Sequence, residues 1–484
     1  MFTRRNAVKC LALGGLGLAG RNARVFGTPV QAPAELLIRR GRIVNASGIR
    51  DADIRVVGET IAEIGVGLRP NAGARVIEAA GRLIMPGGID PHTHLEGWTV
   101  DDLRIGSMAA LAGGITTIGT FAWAENGETL DQAFDRMTRQ TKTDAIADVF
   151  FHAHAWPTDA DFGPVMAAIV AAGQPSFKVY FPEDDIGAQL KNLVRLTEAA
   201  RAHGVVTLVH CEDGAIIAAN TQRLVRAGRT SLRDYPATRP VAAEVSATQQ
   251  IAALAESTGA PLYVVHISSA RALEACRQSR LVGAPLYVET RPLYLHLTDA
   301  LEARPDAALY LTQPPLRPAS DGQELWRGLA DGRIDVLAGD HAPLTRARKE
   351  DPSLSITNTL PGMSDLQFML PMYYSEGVRN RRLALQRFVE TTSTNAARIF
   401  GMYPRKGVIR EGSDADVVIW DPNRTGTVTA DADLSNADYN VYQGWKVTGW
   451  PVTTIRRGEI VYDEGRVIGR PGTGRLIART RWHR

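Results

Sequence analysis

Histidines, one lysine and one aspartate close a series of apolar segments along the chain, and these residue types together can hold metal ions. Neutral imidazoles and carboxylates are the ligands that zinc takes in hydrolases. Burying several such groups in one place is costly for each uncompensated charge, and a bound cation supplies the compensation. The candidates are His92, His94, Lys178, His210, His266 and Asp340.

The first histidine pair lies in DPHTH, where His92 and His94 follow an apolar segment and a Gly-Gly pair. Residues i and i+2 of a strand point to the same face, so both imidazoles can reach one ion. His210 and His266 each close a strongly apolar segment, as ligands of a second metal would. A lone histidine on an apolar strand is more often a packed core residue, so the prediction rests on the whole set.

Lys178 lies in the apolar segment SFKVY. Lysine is almost never fully buried without a partner, and burial lowers its pKa, so that more of the amine is neutral and nucleophilic. Such an amine can add carbon dioxide to form a carbamate, an anion able to bridge two metals. The alternative is a lysine whose ammonium group extends past the rim into water. The four histidines favour the carbamate.

Asp340, in GDHAP, has a plausible double role as metal ligand and proton shuttle. His341 beside it could support a ligand or simply pack. His152 and His154 also alternate on an apolar segment, FFHAHAW, but no ligand position is vacant for them. We therefore interpret that pair as packing residues.

The elements that must position these residues alternate between short apolar segments and longer helical patterns from residue 83 to 401. Such alternation is typical of βα units around a parallel sheet. Eight units predict an α/β fold, a (β/α)8 barrel of the TIM type, whose chemistry lies at the carboxyl ends of the strands. The predicted strands are LIMPGGID, TTIGTFAW, DVFFHAHAW, SFKVYF, VVTLVH, PLYVVHIS, PLYVET and VLAGD.

Both chain ends carry short alternating segments separated by Gly and Asn, the pattern of small antiparallel strands. Because chain termini commonly lie close together, we predict one small β-sandwich domain built from residues 35–82 and 402–470. The barrel then spans residues 83–401, and residues 471–484 form a C-terminal tail.

Residues 1–34 have the order of an export signal, with Arg4, Arg5 and Lys9 preceding an apolar, Gly-rich run. The segment resembles the bacterial twin-arginine signal, except that Ala7 stands where Phe is usual. A cut after Ala-Pro-Ala would start the mature chain near Glu35. We expect a periplasmic protein, with a cytoplasmic protein carrying an N-terminal extension as the alternative.

Composition excludes several other classes of protein. The 484 residues are 44% hydrophobic and 22% charged, as in ordinary globular proteins, and no apolar run is long enough for stable membrane insertion. Lys and Arg number 55 against 52 Asp and Glu, but five of the basic residues and none of the acidic ones lie in residues 1–34. The remainder is slightly acidic, which argues against a nucleic-acid partner. Three cysteines are too few for a disulfide framework or a Cys-rich zinc site.

The motifs together resemble the amidohydrolase superfamily, specifically its hydantoinase and dihydropyrimidinase branch. The resemblance runs in order from about residue 36 to 465 through GGIDPHTHL, SFKVY, VHCEDG, YVVHISSA, ETRPLYL, QPPLR, GDHAP and TSTNAARIFGMYPRKGVIREGSDADVVIWDP. It implies two Zn²⁺ ions per subunit bridged by carbamylated Lys178, a flanking β-sandwich and a homo-oligomer, either tetramer or dimer. It also implies that His92, His94, Lys178, His210, His266 and Asp340 are the ligands.

Three departures from the family pattern concern the substrate. The Tyr that helps to hold the oxyanion five residues after the lysine is here Glu183, and Tyr180 is nearby but not equivalent. The small residue of the family's ET-C/S-P motif is here Arg291, and the family's Asn-bearing loop is changed to LPGMS at residues 360–364. Arg291 could pair with a substrate carboxylate if it points into the pocket, or form an ordinary surface ion pair if it points away.

We therefore expect a binuclear zinc hydrolase that opens a C–N amide bond of a small cyclic imide or ureide with a metal-bridging hydroxide. Asp340 would take the proton and deliver it to the leaving nitrogen. The alternative enzyme acts on a carboxylate-bearing amide through Arg291, resembling dihydroorotase or an N-acyl amino acid hydrolase. A non-catalytic protein on the same fold is a third possibility, which the six filled ligand positions disfavour.

Overall fold

The computed structural model describes residues 35–95, 97–125, 127–154, 161–181 and 186–483, with the side chains of 186–188 excepted. The predicted export signal at residues 1–34 and Glu183 lie outside the described residues.

Eight parallel strands form one sheet in which every strand pairs with its neighbour in sequence. Their side chains are almost all buried, because helices cover the outside of the sheet and the inside faces its own opposite strands. The predicted α/β barrel is therefore confirmed. The strands, numbered by their place in the chain, are β6 (Gly88–Thr93), β7 (Ile115–Trp123), β8 (Asp148–His154), β9 (Ser176–Tyr180), β10 (Val206–His210), β11 (Leu262–Val264), β12 (Leu286–Thr290) and β13 (Val336–Leu337).

The two ends of this sheet meet at the carboxyl side of the barrel. Thr93 forms a parallel bridge with His341, and the backbone N–H of His94 donates to the carbonyl of His341 at 2.7 Å. Asp90 adds a second link, since its Oδ2 accepts from the N–H of Gly339 at 3.0 Å. Gly339 is required there, because a Cβ at this position would lie 2.7 Å from the same oxygen.

Helices follow most of the barrel strands, and several begin with a side-chain cap such as the reciprocal Thr129 and Gln132 capping box. The helices are Leu103–Ala112, Leu130–Asp144, Phe162–Ala171, Ile186–His203, Gly214–Arg226, Tyr235–Thr238, Val241–Thr258, Ala270–Leu281, Pro292–His296, Ala319–Asp331, Arg346–Lys349, Met369–Tyr373, Leu385–Val389 and Asn395–Ile399. Shorter 3-10 and π turns are Leu232–Asp234, Asp299–Ala303, Ala307–Tyr310, Tyr374–Arg379, Glu390–Thr394 and Ala430–Ala432.

Strands from both chain ends form a second, mixed sheet of nine strands, and their apolar side chains make a separate core cluster. The strands are β1 (Glu35–Asn45), β2 (Gly48–Val57), β3 (Thr60–Gly65), β4 (Arg75–Glu78), β5 (Leu83–Pro86), β14 (Val417–Thr427), β15 (Lys446–Arg456), β16 (Glu459–Asp463) and β17 (Arg466–Val467).

One predicted barrel strand, LIMPGGID, is divided between the two sheets. Its first half is β5, which pairs with β1 and β14 of the mixed sheet, and its second half belongs to β6 of the barrel. The chain passes between the sheets at Gly87, whose N–H donates to the carbonyl of Asp416. The barrel therefore begins a few residues later than residue 83.

A buried cluster of charges joins the two sheets. Lys406 Nζ lies 2.8 Å from Asp148 at the start of β8 and also pairs with Asp416 beside β14, while Arg457 contacts Asp148 at 3.1 Å. All four side chains are at least nine-tenths buried. No helix among the described residues is long and apolar enough to cross a membrane.

Candidate metal centre and active site

His92, His94 and Asp340 converge at the carboxyl end of the barrel, where β6 and β13 meet. Oδ1 of Asp340 lies 3.2 Å from Nε2 of His92 and 3.1 Å from Nε2 of His94. One ligand atom from each residue lies within 4.8 Å of the others, and all three residues are buried. Burial lowers the pKa of His92 well below its usual value, so the imidazole is neutral and can coordinate a cation. The sequence analysis placed these three residues in one set, and the structure brings them together.

His210 and His266 form a second pair beside the first. Nδ1 of His210 lies 3.0 Å from Nε2 of His266, and the rings of His266 and His92 are stacked with centroids 5.6 Å apart. His266 and Asp340 both have left-handed backbones, with φ values of 40° and 46°. Non-glycine residues seldom adopt this conformation, and such strain concentrates at functional sites.

Lys178 lies close enough to His92 and His266 for its charge to affect both imidazoles, and its Nζ is 5.4 Å from the ring centre of Phe121 and 5.2 Å from that of Tyr180. The residue is 1% exposed, which excludes a side chain that reaches past the rim into water. Burial lowers the pKa of Lys178 to about 8, although Asp340 and Glu289 act in the opposite direction. A substantial neutral fraction of the amine follows at mildly alkaline pH.

Two carboxylates that the sequence analysis did not assign form hydrogen bonds with the candidate ligands His92 and His266. Oε1 of Glu289 lies 2.8 Å from Nδ1 of His92 and accepts from the backbone N–H of His266 at 3.0 Å. Oδ1 of Asp90 accepts from the N–H of His92 at 3.0 Å. A carboxylate on the far nitrogen of a metal-binding histidine fixes the tautomer and leaves Nε2 for the ion. Asp90 and Glu289 lie on barrel strands close to their carboxyl ends, as the candidate ligands do, and this position in the sequence could have identified them.

The histidine nitrogens and carboxylate oxygens of this site have the chemistry of cation ligands. Nδ1 of His266 is buried with no hydrogen-bond partner among the described residues. Burial raises the pKa values of Asp90 and Glu289 to about 8, so that ionised carboxylates here need positive charge nearby. Neutral imidazoles and buried carboxylates around one space are what a borderline-soft divalent ion binds.

Comparison with known proteins identifies the family. The Amidohydrolase family model matches residues 83–461. The chain belongs to the amidohydrolase family.

It is 36% identical over 456 residues to D-hydantoinase of Geobacillus stearothermophilus, covering 92% of this chain and 97% of the relative. Its fold is similar to the crystal structure of dihydropyrimidinase from Brevibacillus agri, with a TM-score of 0.89, 33% identity, and 93% and 100% of the two chains covered. L-Hydantoinase from Arthrobacter aurescens is similar too, with a TM-score of 0.84, 30% identity, and 92% and 99% covered. These matches place this amidohydrolase on the hydantoinase and dihydropyrimidinase branch.

Arg291 in this amidohydrolase is buried and its guanidinium is surrounded by protein groups. It lies 2.9 Å from Oδ2 of Asp340 and 3.3 Å from Oδ2 of Asp365, and it donates to Thr312 and to the carbonyls of Gly339 and Asp340. With 1% exposure it is not a surface ion-pair donor. Five contacts engage all five N–H groups of the side chain, so none is left free for a substrate carboxylate.

Tyr180 and Glu183 are the other two predicted substrate-binding residues. The ring of Tyr180 lies 5.1 Å from that of His210 and 5.9 Å from that of His154, so it borders the site. Glu183 lies outside the described residues. The substrate-binding roles of both stay predictions.

Both ring nitrogens of His341 form hydrogen bonds with Asp101 and Asp365 rather than with the candidate ligands. Its Nε2 lies 3.0 Å from Oδ2 of Asp101, and its Nδ1 accepts from the backbone N–H of Asp365 at 3.1 Å. Because Nδ1 is an acceptor, Nε2 carries the proton and donates to Asp101. His341 thereby fixes the backbone that follows Asp340.

Proposed function

We propose that this protein is a binuclear zinc amidohydrolase that opens a C–N amide bond of a cyclic imide or ureide of the hydantoin or dihydropyrimidine type. The observation that carries the proposal is the convergence of His92, His94 and Asp340 at the carboxyl end of a barrel. Relatives named D-hydantoinase and D-phenylhydantoinase, which match nearly the whole described chain, support this substrate class.

His92, His94 and Asp340 would hold one ion, and His210 and His266 would hold the second, with a carbamate on Lys178 joining the two. Formation of that carbamate needs a neutral amine, which the lowered pKa of Lys178 provides. When bound, the two ions would activate a water and polarise the scissile carbonyl. Glu289 and Asp90 hold His92 in the required orientation.

Asp340 is the group placed to move the proton. Water adds to the carbonyl carbon, the C–N bond breaks, and the ring nitrogen receives a proton while the new carboxylic acid ionises. Asp340 would accept the proton of the attacking water and deliver it to that nitrogen. Arg291 holds Oδ2 of the carboxylate and leaves Oδ1 facing the histidines. Tyr180 borders the site, since its ring contacts that of His210, and it would contact the bound substrate.

A neutral ring is the favoured substrate, and a carboxylate-bearing amide is not. The acidic alternative depended on free N–H groups of Arg291, whereas the structure directs them to Asp340, Asp365, Thr312 and backbone carbonyls. Releasing them for a substrate would leave buried carboxylates without their counter-ion, which is costly.

The test is proton release by zinc- and bicarbonate-loaded protein on dihydrouracil, 5-substituted hydantoins, dihydroorotate and N-acyl amino acids. We expect turnover of the neutral rings and its loss in Asp340→Asn. Turnover of the acidic compounds alone would replace this proposal by the alternative. No turnover by a protein that carries zinc would contradict both.

We also propose that residues 1–34 direct the chain to the periplasm by the twin-arginine route, and that the mature protein is a homo-oligomer. The paired arginines before an apolar run support the first statement. Fractionation of cells with an Arg4→Lys, Arg5→Lys variant as control tests it, and an uncleaved cytoplasmic chain would contradict it. Light scattering during gel filtration distinguishes monomer, dimer and tetramer.

A further inference from the structure

The C-terminal tail, residues 471–483, closes the amino end of the barrel. Leu476 pairs with Val149 near the start of β8, and the N–H of Ile477 donates to the carbonyl of Val149 at 2.8 Å. Further along, the indole N–H of Trp482 donates to the hydroxyl of Tyr287 near the start of β12 at 2.8 Å. Ile477 belongs to the same apolar cluster as the side chains inside the barrel. The tail is therefore part of the barrel floor.

The side chain of Arg479, in this tail, is buried in the barrel interior. The guanidinium carbon lies 4.6 Å from the ring centre of Phe150 and 6.0 Å from that of Phe400, and the residue is 6% exposed. Its Nη2 donates to the carbonyl of Phe151 at 2.8 Å and to Oγ of Ser176 at 2.7 Å. No carboxylate among the described residues pairs with it, and Nε and Nη1 have no hydrogen-bond partner there.

Burying the Arg479 guanidinium without a carboxylate partner costs desolvation free energy. Burial alone lowers the pKa of Arg479 to about 9, which reflects that cost. An apolar side chain of similar length would pack on Phe150 and Phe400 without it. An apolar side chain could not donate the hydrogen bonds of Nη2 to Phe151 and Ser176, nor the longer one, 3.4 Å, to Oε1 of Gln174.

Those hydrogen bonds begin a chain that leads to the metal-ligand strands. Ser176 Oγ lies 2.8 Å from Nδ1 of His152, and Nε2 of His152 lies 2.8 Å from the carbonyl of Pro91. The direction of the chain is determined at both ends, because a guanidinium only donates and a carbonyl only accepts. His152 therefore carries its proton on Nε2, and its Nδ1 accepts from the hydroxyl of Ser176 at 2.8 Å, which is shorter than the 3.3 Å from that hydroxyl to its other acceptor, the carbonyl of Phe151. Ser176 and His152 are fully buried.

We propose that Arg479 is a positioning residue of the metal centre, acting through Ser176 and His152 on the strands that carry Lys178 and His92. This inference rests on the proposed function, since it assigns these contacts to the proposed metal ligands. Ser176 precedes Lys178 by two residues, so both side chains point to the same face of β9. Pro91 directly precedes His92 on β6. One tail residue thus constrains a ligand from each of two strands.

The experiment measures how much zinc full-length protein retains per chain against increasing chelator, in Arg479→Met and in Arg481→Met. Arg481 lies two residues away on the same tail and is exposed, so it is the matched control. We expect Arg479→Met to retain zinc roughly 10- to 100-fold less tightly, the usual effect of removing a contact that orients ligands. The control should equal the wild type. The metal-free proteins are compared by thermal unfolding, since a purely structural role would lower that midpoint without weakening zinc binding.

Equal zinc retention in the wild type and Arg479→Met would overturn the inference and leave the proposed function intact. A wild type that retains no zinc would overturn both. Should Arg479→Met fail to fold, Ser176→Ala decides the question, because it removes only the hydroxyl between Arg479 and His152. Weaker zinc retention in Ser176→Ala supports the inference, and wild-type retention contradicts it.

Discussion

Nη1 of Arg291 lies 2.9 Å from Oδ2 of Asp340, while Oδ1 of the same carboxylate faces Nε2 of His92 at 3.2 Å. The two oxygens of Asp340 therefore have separate partners, the Arg291 guanidinium on one side and the imidazole of the candidate ligand His92 on the other. Although burial acts to raise it, the Arg291 guanidinium and the two histidines hold the pKa of Asp340 well below its usual range. Arg291 thus helps to orient the carboxylate of Asp340.

Arg291→Met should lower kcat on neutral and acidic compounds alike, because Asp340 loses the partner of Oδ2. Removing one member of a buried ion pair should also cost about 3–5 kcal/mol of stability. Steady-state kinetics and thermal unfolding measure the two effects. Arg346→Met, at an exposed position, is the control. A rise in KM confined to acidic compounds would instead show that Arg291 binds a substrate carboxylate.

Glu289→Gln should weaken metal retention roughly 10- to 100-fold while the fold persists, since Gln is similar in size but a weaker acceptor for Nδ1 of His92. Zinc content after a chelator challenge measures this, with exposed Glu274→Gln as the control. Unchanged zinc content in Glu289→Gln would mean that His92 is oriented without this carboxylate.

Lys178→Arg should reduce bound zinc from two ions per chain to one or none. A guanidinium stays charged and cannot form a carbamate. Elemental analysis of protein prepared with zinc and bicarbonate measures the stoichiometry. In the wild type, a carbamate signal should appear in ¹³C NMR after exposure to ¹³C-bicarbonate and be missing in Lys178→Arg. Two retained zinc ions in the variant would exclude a bridging carbamate.

Acid should weaken the contact between the two sheets through Asp148. Burial raises the pKa of this carboxyl, but Lys406 and Arg457 outweigh it and lower the folded value to about 2. A lowered folded pKa means that the carboxylate stabilises the fold above its ordinary pKa near 3.8, and that this contribution is lost as the pH falls from about 4 to about 2. The contribution is about 2 kcal/mol at neutral pH.

The pH dependence of the unfolding midpoint checks this prediction in the wild type and in Asp148→Asn. The variant should be less stable at pH 7 and lose less further stability between pH 4 and 2. Asp131→Asn, at an exposed helix position, should follow the wild type. Parallel curves for the wild type and Asp148→Asn would show that Asp148 does not contribute in this way.

Periodicity alone was sufficient to predict the barrel and to identify the strand ends that carry ionisable residues. Parallel strands buried on both faces are continuously apolar, so an ionisable residue at the end of each is conspicuous in the sequence. His92, His94 and Asp340 can therefore be grouped from the sequence alone. The misplaced element β5 is as apolar as a barrel strand, and its pairing with β1 and with β14, the latter more than 300 residues away, places it in the other sheet.

The sequence by itself determined the fold class, the family and the residue types at the candidate metal centre, because these follow from local patterns that each segment carries alone. Only the tertiary structure decided what Arg291 contacts and which carboxylate orients His92. It also showed that Arg479 of the tail lies under the same strands. The physical reason is that a buried polar side chain takes its partners from whatever the fold brings within about 3 Å. Glu289 and His92, at 2.8 Å, are 197 residues apart in the chain.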